Sequence, residues 1–432
     1  MKFLRFGICC LIVFSVLAHG AVEDWARAVY ESAAGILFLI WSIRAQFRPN
    51  EEIVLSPLLP PLLGFFLVVV IQLIFRLTMY RYNTRMELLL LLADLLVLFL
   101  AVQAYQTLAD WRGFIWFGMS FGFLVSLFGI LQHLTFSGKL YWFREMRYGG
   151  IPFGPYANRN HFAGFAELII PLALVPLLLG RVRRERWPVV GLFTVVPVGA
   201  LLLSASRGGI VSLAVELLLL MFVIFIRKSL GKHILGAGAA LLAALLLVSW
   251  LGASEILQRF STLQSLEATA SKRASMRGDT WKIFLDHAVI GTGLGTIQVA
   301  YPPYETLYDG KIVNHSHNDY LEALAETGAL GGVCCLWFLA VLLIEGWKRS
   351  RNLEKSFATA LQLSGWIACC GLLVHSFADF NLHIPANALL FFLMAHLATA
   401  EIQQSASSAR SSRRSGQSGD SKSLRDSAQL TV

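Results

Sequence analysis

The sequence predicts an all-α, polytopic transmembrane fold of about twelve spans with one long extracytoplasmic loop. Three observations predict it. Of 432 residues, 56% are hydrophobic and only 15% are charged, and the mean hydropathy is +0.62, well away from soluble composition. Apolar stretches of about 18 to 25 residues recur from one end to the other, each long enough to cross roughly 30 Å of hydrocarbon as a helix. Lysines and arginines gather in alternate short connections, the pattern of cytoplasmic loops.

The spans are read at residues 6–20, 28–43, 53–75, 86–109, 113–134, 161–180, 187–204, 208–226, 233–252, 318–344, 357–376 and 385–401. Residues 1–20 begin Met-Lys-Phe-Leu-Arg and end on small residues, so a cleaved signal peptide competes with a short first span. The next segment starts outside in both cases. Basic connections follow at Arg44 and Arg48, at Arg181, Arg183, Arg184 and Arg186, at Arg227, Lys228 and Lys232, and at Lys348, Arg349, Arg351 and Lys355. Twelve spans then leave both termini in the cytoplasm. Arg76, Arg81 and Arg85 dissent by falling on the outer side, where an arginine can meet an anionic ligand. The net charge of +9 would suit a nucleic acid, but its spread over alternate loops excludes that partner. The six cysteines form three adjacent pairs inside apolar spans, where neighbours point apart, so no disulfide framework is implied.

Four regions result: a membrane region of about nine spans at 1–252, a large extracytoplasmic loop at 253–317, a membrane region of about three spans at 318–402, and a tail at 403–432. The tail is Ser- and Arg-rich, carries Arg410, Arg413 and Arg414, and is expected to be disordered and cytoplasmic. A shorter turn-rich outer segment occupies 137–160. Within the long loop, residues 273–290 have helical periodicity, with Arg273 and Arg277 on one face. Gly291, Gly293 and Gly295 then read as turns, since no strand precedes them and nothing else of a nucleotide site is in place.

Four clusters can carry chemistry. Val-Asn-His-Ser-His-Asn-Asp-Tyr at 313–320 stands where the long loop re-enters the membrane, followed by Glu322 and Glu326. His315 or His317 can serve as a general base near neutral pH. A metal site would need the alternate residues His315, His317 and Asp319 to converge, which only an extended segment allows. A polar helix cap built on Asn314 or Ser316 is the structural alternative. In Ser204-Ala-Ser-Arg207, an arginine in a short outer turn suits a phosphate, or snorkels to the interface. Asn158-Arg159-Asn160-His161 opens a span whose N-terminus can receive an anion. His375-Ser-Phe-Ala-Asp379-Phe-Asn381-Leu-His383 crowds polar groups between the last two spans, as a site or as turn chemistry. Asp94, Glu167 and Glu216 lie inside spans and need partners, for which nearby arginines are the expected choice, or else mark an ion pathway.

These motifs resemble the O-antigen ligase and polymerase family of polytopic membrane glycosyltransferases. The family's ligase pattern is His, then Asn, Ser or Gln, nine residues, Gly, two residues, Gly, and Gly, Thr or Tyr. His317, Asn318, Gly328, Gly331 and Gly332 fit it without a gap, whereas His315 places Glu326 where the first glycine belongs. Gly154-Pro-Tyr-Ala-Asn-Arg-Asn-His-Phe-Ala-Gly164, Ser206-Arg207-Gly208-Gly209 and His375-Ser-Phe-Ala-Asp-Phe-Asn-Leu-His-Ile-Pro385 match in order, so the resemblance extends over about residues 20–400.

The resemblance implies a metal-independent, cofactor-free sugar transfer at the outer face of the bacterial inner membrane. The donor would be a polyprenyl-diphosphate-linked glycan, and the acceptor a glycan or lipid hydroxyl in lipopolysaccharide or other surface-polysaccharide synthesis. Membrane lipids and envelope polysaccharide assembly proteins are the further partners it implies. By similarity His317 would deprotonate the acceptor, with inversion, while Arg207 and Arg277 hold the diphosphate. Arg159, Arg273 and His375 are the next candidates, with His315, Asn318, Asn160, His161 and Asp379 beside them. The rival role attached to such relatives is transport of an anion such as bicarbonate.

Overall fold

The computed structural model describes residues 1–48, 52–145, 151–226, 263–308, 310–351 and 356–403, of which 263–271 by their backbone alone. Among them are twelve helices of fifteen or more residues and no strand: α1 (Lys2–Leu17), α2 (Asp24–Gln46), α3 (Leu59–Ile74), α4 (Arg81–Ala104), α5 (Leu108–Leu134), α6 (Arg159–Leu178), α7 (Trp187–Leu203), α8 (Arg207–Ile226), α9 (Leu263–Asp286), α10 (Asp319–Arg351), α11 (Phe357–His375) and α12 (Pro385–Thr399). Eight helices are long and apolar enough to cross a membrane, and α3 and α12 are shorter apolar helices. The chain is an all-α polytopic membrane protein. The expected span at 233–252, the basic residues Arg227, Lys228, Lys232 and Lys355, and the tail beyond 403 lie outside the described residues.

Local chemistry sets the helix ends. Thr107 and Asp110 form a reciprocal capping box on α5, Asn158 caps α6 through Asn160 N, and Ser356 caps α11 through Thr359 N, each supplying an acceptor to an orphan N–H. Prolines stand in the first turns of α3, α7 and α12, where their missing N–H costs nothing. In α6, 94% of the membrane-length window is buried, and in α11 83%, so these two helices form the axis around which the others pack.

The two ends of the bundle differ in charge. One end joins α1 to α5 through the Arg5–Asp110 ion pair, sets Arg44 over the Phe3 ring and Arg112 over Phe357, and carries the arginines of 181–186 and the Lys348–Arg351 helix end. At the other end His19 Nδ1 donates to Pro155 O at 3.1 Å, Arg144 pairs with Glu23, and Ala386 N donates to Gly20 O at 3.1 Å. The starts of α6, α10 and α12 and the end of α11 all gather there.

Two expectations are corrected. The helix of the long loop runs from Leu263 to Asp286 rather than 273–290, since its first turns are polar and show little periodicity. The span expected at 318–344 is interrupted: Gly328 has φ 64° and ψ −165° inside α10, a combination open essentially to glycine alone. The break lets the chain at 288–297 pack against it, with Ala329 N donating to Ala288 O at 2.7 Å and Gly293 N to Glu326 O at 2.9 Å. Gly291, Gly293 and Gly295 all take positive φ, as turns. The Glu326 carboxylate accepts from Gly295 N and Ile297 N at 2.8 Å each, and Gln72 of α3 donates to Ile290 O and Glu326 O at 2.6 and 2.7 Å. The loop also owns a small core of Met276, Ile283, Ile297, Tyr301 and Val313. Beside it Asp279 accepts from Tyr301 Oη at 3.1 Å and from Thr306 N at 3.0 Å.

A Cβ at residue 328 would lie 2.4 Å from the Val289 carbonyl carbon. Gly328→Ala should therefore lower stability by about 1–3 kcal/mol, read as a lower unfolding temperature in detergent. Gly35→Ala, where a Cβ meets nothing within 4 Å, should leave that temperature unchanged.

Candidate active site

The polar residues at the end of the bundle gather on the 376–384 segment between α11 and α12. Asn318 opens α10 by accepting from Tyr320 N and Leu321 N at 3.1 and 3.0 Å, so the cap expected within this cluster falls to Asn318 rather than Asn314 or Ser316. Its amide also donates to Phe377 O at 3.2 Å, and Asp319 N donates to Ser376 O at 3.0 Å. The start of α10 is thereby sewn to the end of α11. His317, immediately before the cap, takes φ 53°, a left-handed conformation that costs a non-glycine residue energy and aims its ring at Asp379.

His317 Nδ1 lies 3.0 Å from Asp379 Oδ1. Asp379 is fully buried and also accepts from Phe380 N at 3.0 Å and from the Asn160 side-chain amide. Burial alone would raise its pKa, but the His317 hydrogen bond and the charges of His161, His317 and His375 outweigh that and hold it well below the usual carboxylate range. An ionised Asp379 can only accept, so Nδ1 of a neutral His317 must carry the proton and Nε2 must carry the lone pair. Nε2 has no hydrogen-bond partner among the described residues, and the His317 side chain is 29% exposed. The arrangement is a base oriented by a buried carboxylate, open on its reactive side.

The second histidine is engaged elsewhere. His315 Nδ1 lies 2.6 Å from Glu322 Oε1, while Glu322 Oε2 accepts from Ser316 N and Oγ at 2.7 and 3.0 Å. His383 Nδ1 lies 2.8 Å from Asp319 Oδ1, and its Nε2 faces Glu322 Oε1 at 3.5 Å. Burial opposes the charge on His383, yet Glu322, Asp319 and Glu326 push its pKa up to about 10. The Phe380 ring separates the two clusters, stacked on His315 with centroids 4.2 Å apart and in contact with His317 and His161.

His315, Glu322 and His383 bring three donor atoms within 4.8 Å of one another. Two ligands on a tetrahedral zinc, with bonds of about 2.0–2.1 Å, stand roughly 3.3 Å apart. His315 would have to draw away from Glu322 to admit an ion.

The other expected residues separate into those facing the site and those behind it. Arg273 Nη1 donates to Ala378 O at 3.0 Å, which brings α9 to the residue before Asp379. Arg277 is exposed one turn along, its Nε on Arg273 O at 3.2 Å. Arg207 is exposed at the start of α8. The neighbouring Gly208 has room for no side chain, since a Cβ there would lie 2.4 Å from His375 Cδ2. Arg159 begins α6, next to Asn160.

His375 is not placed to meet an anion in solvent. It is buried with Nδ1 2.8 Å from Glu167 Oε1, so it braces the α11 end from below. His161 is likewise buried under Phe380. The arginine partners expected for the buried acids are not what the structure provides: Glu167 takes His375, and Asp94 accepts from Tyr30 Oη at 2.6 Å. The neighbouring Arg27 pairs with Glu31 and Glu87 instead, at 2.9 and 2.7 Å. Neither Glu216 oxygen has a hydrogen-bond partner among the described residues.

Sequence reasoning took Asp319 only as a possible metal ligand, and gave Glu322, Glu167, His383 and Phe380 no individual role at the site. A usable signal was present: Asp319 and Glu322 are three apart at the head of an apolar run, where two acids on one helix face require cationic partners.

Residues 191–336 match the protein-family model described as O-antigen ligase, which bears out the resemblance read from the motifs. The stretch includes Arg207, Arg273, Arg277, His315, His317, Asn318 and the three motif glycines, while Asn160, His375 and Asp379 lie outside it. No curated protein matches the chain. The match lends no support to anion transport.

His383 is charged in the folded protein at neutral pH, and its folded pKa of about 10 lies above its ordinary 6.5. Its stabilising contribution is therefore complete below about pH 6.5 and lost as pH rises towards 10. Thermal unfolding between pH 6 and 10 should show this decline in the wild type and a flatter profile in His383→Gln.

Proposed function

We propose that this O-antigen ligase-like protein is a metal-independent, inverting glycosyltransferase. It moves a polyprenyl-diphosphate-linked glycan onto an acceptor hydroxyl at the outer face of the bacterial inner membrane. The observation that carries the reading is the His317–Asp379 pair, with Nδ1 held and Nε2 open. The basic loops at the opposite end of the bundle support an outward-facing site, because cytoplasmic loops carry the excess of lysine and arginine.

The mechanism follows from the residues. His317 Nε2 takes the proton of the acceptor hydroxyl as its oxygen attacks the anomeric carbon. The bond from that carbon to the diphosphate oxygen breaks, and its electron pair leaves with the diphosphate. Asp379 keeps the imidazole in the required tautomer and stabilises the imidazolium that forms. Arg207, Arg273 and Arg277, with Arg159, take up the charge that develops on the leaving group, as a divalent cation would. The N-termini of α6 and α8 add their positive ends from the same side. A single displacement of this kind inverts the anomeric configuration.

Cells carrying His317→Ala or Arg207→Ala should accumulate lipid-linked glycan and lose finished surface polysaccharide, with turnover down by about 10²-fold or more. Normal polymer from correctly inserted variants would refute the assignment. The purified protein, given lipid-linked oligosaccharide and acceptor, should form the joined product.

A further inference from the structure

At the end of the bundle away from the site, a groove of about 790 Å³ opens between α1 and α5. It runs along α1 from Lys2 to Phe14, roughly 18 Å of helix, close to the roughly 15 Å depth of one leaflet's hydrocarbon. Its walls are apolar, with Phe6, Val13 and Phe14 facing Phe114 and Phe117. Its mouth is charged: Lys2, Arg5 and Asp110 line it, and the Arg5–Asp110 pair leaves a net positive charge from exposed Lys2. Gly113 lines the groove too, and a Cβ there would meet nothing within 4 Å, so this part of the groove has no protein atom to fill it.

We propose that this groove is a binding site for one anionic phospholipid of the leaflet opposite the candidate site, with an acyl chain along the aromatic wall and its phosphate at Lys2 and Arg5. The polarity of the groove, cationic at one end and apolar over one leaflet, matches a lipid. A transmembrane helix of a partner would continue past the bilayer midplane and has no use for a cationic mouth at a single level. The bound lipid covers apolar surface on the side of α1 that faces α5, where the two helices meet mainly through the Arg5–Asp110 ion pair at their ends. The opposite face of α1 is already buried in the core. Nothing in this inference depends on glycosyl transfer.

Native mass spectrometry of the full-length protein, with phosphatidylglycerol and phosphatidylethanolamine offered in equal amounts, tests it. The wild type should retain one phosphatidylglycerol in preference. Lys2→Ala, an exposed change, should weaken that retention by about fivefold. Gly113→Phe should abolish retention while leaving the unfolding temperature of lipid-free protein at the wild-type value. Equal occupancy by the two lipids would overturn the headgroup assignment, and undiminished retention in Gly113→Phe would overturn the groove. A dimer that Gly113→Phe dissociates would make a second copy the occupant, and an intact mass lacking residues 1–20 would remove the site.

Discussion

The buried Asp379 carboxylate is the constraint on which the active end of the molecule depends. It collects Asn160 from α6, His317 from the threshold of α10 and the backbone of the 376–384 segment. A charge so far from water is tolerable only when each lone pair is used, and each donor that satisfies it comes from a different element. The elements are therefore held in register by one anion. The same anion fixes the tautomer of His317, so the stabilising interaction and the chemical one are a single hydrogen bond. Behind it, the His375–Glu167 pair and the Asn318 cap repeat the logic at lower stakes, each tying two helices through a buried polar contact.

Much of the fold was legible because hydropathy and capping act over short stretches of chain. Thr107, Asn158 and Ser356 stop or start helices through bonds to residues two or three positions away, and such bonds are written in the local sequence. The break at Gly328 was not legible, since the apolar run passes through it and the reason for the break sits in the returning 288–297 segment. The partners of the buried acids were hidden for the same reason: Asp94 and Tyr30 are 64 residues apart, and Glu167 and His375 are 208 apart.

The site divides along the same line. His317 could be singled out from His315 because a spacing pattern ending in Gly328, Gly331 and Gly332 distinguishes them, and the structure gives those glycines their reason: the first makes the break that lets the long loop pack on α10. Asp379 stood among the candidates without a role, which only its distance to His317 supplies. The division of labour between His317, open and oriented, and His315, spent on Glu322 and stacked on Phe380, depends on contacts made when the 376–384 segment folds back over the start of α10. No periodicity encodes that return.

The central claim is that Asp379 acts through His317. Its most direct test is a double-mutant cycle on glycan joining by purified protein, with His317→Ala, Asp379→Asn and the combination compared with wild type. If Asp379 only orients and charges the imidazole, Asp379→Asn lowers turnover in the wild-type background and adds nothing once His317 is gone. If the two losses multiply, Asp379 works independently of His317, and the oriented-base account is contradicted.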